Sequence, residues 1–131
     1  MLKFPFSKVD GIELSEQIAN IAIKNFKILN FTKSKIFIGN ATVFNHYDNY
    51  NIFYLYNPFP CKIVSEVIRR LKWSLEKSDR EILIIYNNPV CDGLIKKEGF
   101  FKIEEYPNEG KKKIYIYSNK NLAFSRLTVE R

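Results

Sequence analysis

Two apolar runs, each cut off by proline, constrain this chain more than any other feature. Residues 51–57 read Asn-Ile-Phe-Tyr-Leu-Tyr-Asn and stop at Asn57-Pro58-Phe59-Pro60. Residues 81–87 read Glu-Ile-Leu-Ile-Ile-Tyr-Asn and stop at Asn88-Pro89. Each run has strand length and is nearly continuous, the pattern of a strand covered on both faces. Proline lacks an amide hydrogen, so neither ladder can extend past it. Between them, residues 62–76 put Ile63, Val64, Val67, Ile68, Leu71 and Leu75 on one stripe, with Glu66, Arg69, Arg70 and Lys72 facing away. That is an amphipathic helix. Strand, helix, strand implies a parallel pair joined by a crossover.

The flanking segments extend the alternation. Val9–Leu14 reads as a short strand, and Ser15 is placed to cap the helix that follows. Residues 16–29 carry Ile18, Ala22, Phe26 and Leu29 on one face. Lys35–Gly39 is a second strand, and residues 40–50 are polar and irregular. A short helix through Leu94–Glu98 stops at Gly99, a residue suited to the left-handed position after a helix. Phe100–Tyr106 and Lys113–Ser118 form a hairpin around Pro107-Asn108-Glu109-Gly110. The predicted fold is α/β and three-layer, with a mostly parallel sheet and a carboxyl-terminal antiparallel hairpin. One domain covers residues 1–118, and 119–131 form a tail.

Composition narrows the function classes. The 131 residues suit one domain, and 46% of them are hydrophobic, enough for a real core. No apolar run has membrane-spanning length, and the first residues lack a leader-like apolar core. A cytoplasmic protein is the expectation. Cys61 and Cys91 are the only cysteines, too few for a disulfide framework or a metal cluster, and are read as structural. No metal site is expected. The net charge of +7 comes from dispersed lysines. It speaks to solubility and non-specific attraction to acidic partners such as RNA, not to a defined activity.

In a parallel α/β sheet, ligands lie at the carboxyl ends of the strands. The residues there are Glu13, Asn40, Asn57 and Asn87. A carboxylate such as Glu13 can accept from both hydroxyls of a ribose edge; the plainer reading is a solvated Glu favoured by the helix start. The Asn57 side-chain carbonyl and the Pro58 backbone carbonyl offer two acceptors near one point. These could hold an amine with its lone pair aimed at an electrophile. The plainer reading there is an ordinary strand-to-helix turn. His46 sits in a polar loop and reads as a surface residue. Lys111-Lys112-Lys113 reads as a solvated guard on an edge strand.

Taken together, these segments resemble class I S-adenosylmethionine-dependent methyltransferases. Residues 9–17, Val-Asp-Gly-Ile-Glu-Leu-Ser-Glu-Gln, resemble the family's second strand and the helix after it. The resemblance implies that Glu13 holds the ribose of S-adenosylmethionine and that Leu14 packs on its adenine. Ile38-Gly39-Asn40-Ala41 resembles the Gly-Asp-Ala segment that reads the adenine amino group, with Asn40 in place of Asp. Asn57-Pro58-Phe59-Pro60 resembles the Asn-Pro-Pro-aromatic motif of amino methyltransferases, with Phe59 at the third place. This implies Asn57 and Pro58 as catalytic residues toward an unidentified acceptor, which could be a nitrogen. The family's first strand and Gly-x-Gly loop have no counterpart. The glycines stand at 11, 39, 93, 99 and 110, and none are spaced for that loop. The chain therefore resembles an amino-terminally truncated domain with half a cofactor site. The competing expectation is a non-catalytic remnant acting as an interaction module toward RNA or protein. The strands at 9–14 and 51–57 would flank the absent central strand. They are expected either to pair directly or to take a strand from another chain, by self-association for example.

Overall fold

The computed structural model describes residues 6–56, 59–107 and 113–121. They form β1 (Gly11–Glu13), α1 (Glu16–Ile28), β2 (Ile36–Ile38), β3 (Ile52–Tyr56), α2 (Cys61–Lys77), β4 (Leu83–Asn87), α3 (Asp92–Lys97), β5 (Phe101–Pro107) and β6 (Lys113–Ser118). Two 3-10 turns, Ala41–Val43 and Tyr47–Asn49, lie between β2 and β3. The α/β class and the closing antiparallel hairpin agree with the sequence; the hairpin loop, 108–112, lies outside the described residues. The chain divides into two compact units, one ending at Phe44 and one beginning at Asn45.

The first unit is a β-α-β element. β1 and β2 pair in parallel, Gly11 with Ile36 and Glu13 with Ile38. Glycine at 11 lets the strands approach closely: a Cβ there would come within 3.1 Å of Ile36 Cδ1, which would have to shift to admit it. Ser15 caps α1 as its position predicts, its hydroxyl accepting from the Ile18 amide. The far end closes on Asn30, at φ 59°. The Phe31 amide reaches back to the Phe26 carbonyl at 2.8 Å, and the two rings lie 6.0 Å apart. That pairing of a six-to-one bond with an apolar contact is the Schellman arrangement.

The second unit holds most of the buried core. Its sheet runs β3-β4-β6-β5, with β3 and β4 parallel and the other neighbours antiparallel. α2 is the crossover between β3 and β4, and it buries Val64, Val67, Ile68 and Leu71. Against these lie Leu55, Ile82, Ile84, Tyr86, Ile95, Phe100 and Tyr117, all buried. On the outer face of α2, Trp73 is exposed with the Arg70 guanidinium 5.2 Å from its ring.

Three expectations need correction. Of the two alternatives for the strands at 9–14 and 51–57, direct pairing is not seen: among the described residues β1 pairs with β2 and β3 with β4, in separate sheets. The expectation assumed that their outer edges would be sealed inside the protein. Instead β1 is only half-buried, and Ile52, Tyr54 and Tyr56 of β3 are exposed. The same exposure means that β3 has one covered face rather than two. Third, Lys113 of the lysine run is not on an edge strand. Lys113 begins β6, which lies between β4 and β5, and its ammonium pairs with Glu105 at 3.5 Å; Lys111 and Lys112 lie outside the described residues. The two cysteines form no framework, but they do form one bond, Cys61–Cys91, with Cα atoms 5.6 Å apart. The β3–β4 register explains it. Tyr56 stands opposite Asn87, so the residues shortly past each strand end are neighbours in space.

Arg80, at the turn from α2 into β4, ties this unit together. Its guanidinium donates to the carbonyls of Tyr47 (2.9 Å), Tyr50 (2.8 Å) and Ser78 (2.8 Å) and to the Ser74 hydroxyl (3.0 Å). A forked, planar donor can reach all of these, and an ammonium cannot. Bonds from a charged donor are worth about 1.5–3 kcal/mol each. Arg80→Lys should therefore cost about 2–4 kcal/mol, read as a lower urea midpoint at unchanged slope.

Candidate functional site

The first unit brings together all four residues assigned to the cofactor. Glu13 ends β1, and one of its carboxylate oxygens accepts from the Ser15 amide at 2.9 Å. The helix start thus orients the carboxylate. The other oxygen has no protein donor among the described residues and can take a ligand hydroxyl. The Gly39 amide donates to the Glu13 carbonyl at 3.0 Å, which locks the ends of β1 and β2 side by side. Asn40 follows at once and caps the 3-10 turn that starts at Ala41.

Asn40 is held in a specific way. Its side-chain oxygen accepts from the Thr42 amide at 2.9 Å and from the Thr42 hydroxyl at 2.8 Å. Two bonds fill both lone pairs of an amide oxygen. The group left over is therefore the amide NH2, a donor. Leu14, next to Glu13, is 72% exposed, and Ile38 and Val43 are exposed apolar side chains beside Asn40 and Ala41. Exposed apolar groups next to a carboxylate and an amide suit a ligand with a flat apolar face and polar edges.

The acceptor-side residues fare differently. Asn57 and Pro58 lie outside the described residues. Their neighbours do not. Tyr54 and Tyr56 project from β3, 55% and 52% exposed, and the Asn87 amide donates to the Tyr54 hydroxyl at 3.0 Å. The two tyrosines carry no motif and were not legible as site residues. What could have marked them is their alternation with Phe53 and Leu55 along a strand whose end was already suspected. His46 is exposed, as expected.

A second polar group joins α3 to the sheet. The buried Tyr117 hydroxyl donates to the Asp92 carboxylate, which also pairs with Lys96 at 2.9 Å. Burial pushes the Tyr117 phenol well above its ordinary value, and the Asp92 charge adds to the shift. For Asp92, burial acts to raise the carboxyl, but the bonds from Tyr117 and Lys96 outweigh it and hold it below the usual range.

No protein-family profile and no curated protein sequence matches the chain. Solved structures do match. A protein from Pyrococcus horikoshii superposes with a TM-score of 0.69 at 13% identity, over 86% of this chain and 72% of that one. The methyltransferase candidate yhhF from Escherichia coli gives 0.62 at 21% identity, over 86% and 64%. The N-methyltransferase NodS from Bradyrhizobium japonicum gives 0.63 at 6% identity, over 87% and 74%. The fold is Rossmann-like and methyltransferase-like. At these identities the likeness is one of fold alone. The chain spans between 43% and 74% of its structural neighbours. No helix among the described residues is long and apolar enough to cross a membrane, and these residues contain no cluster suited to a metal ion.

The depressed Asp92 carboxyl yields a pH test. A folded-state pKa below the unfolded value contributes stability above the unfolded pKa, about 3.9, and that stability is lost as pH falls through the folded value. Asp92→Asn should lower stability at neutral pH and flatten the loss on acidification, measured by urea unfolding between about pH 2 and 6. Parallel pH profiles for the two proteins would show that Asp92 is not held by these bonds.

Proposed function

We propose that this chain is the adenosine-binding and acceptor-binding part of an S-adenosylmethionine-dependent methyltransferase. The observation that carries the reading is the parallel pair β1–β2, which sets Glu13 and Asn40 at adjacent carboxyl ends in a fold shared with methyltransferases. Glu13 would accept from the ribose hydroxyls through its unpaired oxygen. Leu14 would cover one face of the adenine, with Ala41 at its edge. Asn40 would meet the base. To read an amino group with its carbonyl, it must give up the Thr42 hydroxyl bond; in its present state it offers a donor instead. The bound cofactor supplies a methyl group already activated by its sulfonium, so the protein's task is to position the acceptor. Asn57 and Pro58 would do this, holding a nitrogen acceptor by their carbonyls.

Glu13 and Leu14 suit the adenosine half, and Asn40 suits it only once its oxygen is released from Thr42. The residues for the methionine half, in this reading, come from outside the chain, since no Gly-x-Gly segment occurs in it. The outer edges of β1 and β3 are where a further strand would add, from a second copy or another polypeptide. A cytoplasmic setting fits this chemistry. The methyltransferase character of the fold neighbours favours a transferase over a purely structural interaction module.

Titration calorimetry with S-adenosylmethionine and S-adenosylhomocysteine should show weak binding or none for this chain alone. Sub-micromolar affinity would mean that the site is complete without a glycine-rich loop. In an assembly that supplies a strand and glycine-rich loop, Asn57→Ala should reduce turnover far more than cofactor affinity, as for a contact made mainly in the transition state. Equal losses would make Asn57 a structural cap.

A further inference from the structure

We propose that Cys61 and Cys91 form an exchangeable redox couple that equilibrates with small thiols, with Cys61 the sulfur that meets the exogenous partner. The pair is asymmetric. Cys61 is the exposed first residue of α2, whereas Cys91 is 4% exposed. An attacking thiolate must reach a sulfur, so exchange is directed to Cys61.

The surroundings of Cys61 carry no negative charge from its own helix turn. Cys61 heads a helix that runs to Lys77, no acidic residue lies in the first turn, and Lys62 follows it. Cys91 stands at the start of the short α3, but it is buried and followed directly by Asp92.

Other contacts hold the elements that the bond joins. β3 and β4 are in register from Ile52–Leu83 to Tyr56–Asn87. α2 is held by its buried stripe, and α3 by buried Ile95 and the Tyr117–Asp92 bond. After reduction these contacts keep the two Cα positions 5.6 Å apart, so the bond can re-form without a search. What reduction releases is the tether between the segments that follow β3 and β4, at Phe59–Pro60 and Asn88–Val90.

The chemistry balances with glutathione disulfide as oxidant. The Cys61 thiolate attacks one sulfur of glutathione disulfide and expels one glutathione thiolate, leaving a mixed disulfide at Cys61. Cys91 then loses its proton, and its thiolate attacks the Cys61 sulfur and expels the second glutathione. Two protein thiols are oxidised, one glutathione disulfide is reduced, and the two protons end on the glutathione thiolates. Reduced glutathione runs the sequence backwards.

The test uses the whole chain in buffers of graded reduced-to-oxidised glutathione ratio, quenched with acid, alkylated and weighed. The oxidised fraction should move smoothly with the ratio, and far-UV circular dichroism should be the same at both ends. Cys91→Ser should trap one glutathionyl group on Cys61, whereas Cys61→Ser should take it up at Cys91 at least about tenfold more slowly. A bond that survives a large excess of reduced glutathione in the native protein would overturn the proposal and make it a fixed staple. So would equal rates at the two cysteines, or loss of helix on reduction. If either variant fails to fold, the wild-type titration still decides between an exchangeable and a fixed bond.

Discussion

The parallel register of β3 against β4 is the constraint on which the rest of the larger unit depends. Once Tyr56 stands opposite Asn87, the crossover helix must span the two strands, and its apolar stripe must lie on their inner face. The same register delivers the Asn87 amide to the Tyr54 hydroxyl, and it brings Cys61 and Cys91 within bonding distance. β6 then adds to the far side of β4, which places Tyr117 over α3 and gives its hydroxyl to Asp92. Arg80 holds the connection from α2 into β4 by donating to the Ser78 carbonyl and to the Tyr47 and Tyr50 carbonyls of the segment before β3.

The smaller unit is organised on a different basis. Ala19 is its one fully buried apolar residue among those described, so it has little core of its own. Local bonds set its form: the Ser15 cap, the Schellman closure at Asn30, the Asp10 carboxylate accepting from the Lys35 amide, and the Gly39–Glu13 link. Meanwhile α1 exposes Ile18, Ile21 and Ile28, which share one side of the helix. An amphipathic helix that buries one small residue and exposes branched aliphatics has apolar surface left to cover. The candidate adenosine residues therefore sit on a frame held mainly by hydrogen bonds.

Much of the fold was legible because its signals are local. The Asn-Pro boundaries fixed the ends of β3 and β4, Ser15 and Gly99 marked helix limits, and the hairpin spoke through its turn residues. The strand-end rule found Glu13, Asn40 and Asn87 where the structure has them. The rest depends on register, which composition does not reveal. The disulfide, the Arg80 network, the Tyr117–Asp92 pair and the inner position of β6 all join residues far apart in the chain. The Asn-Ile-Phe-Tyr-Leu-Tyr-Asn run misled for a related reason. Tyrosine counts as apolar in a pattern, yet its hydroxyl lets it stand in water, so a continuous run concealed an alternating strand.

Trp73 is the chain's single tryptophan, and it stands on the outer face of α2 beside Arg70. Its indole emission is therefore an optical signal from the larger unit alone, quenched or shifted by events on that helix. The β-α-β unit that carries Glu13 and Asn40 is silent in the same channel. Melting followed by fluorescence and by backbone ellipticity will trace different parts of the molecule, and any mismatch between the two curves measures how loosely the units are coupled.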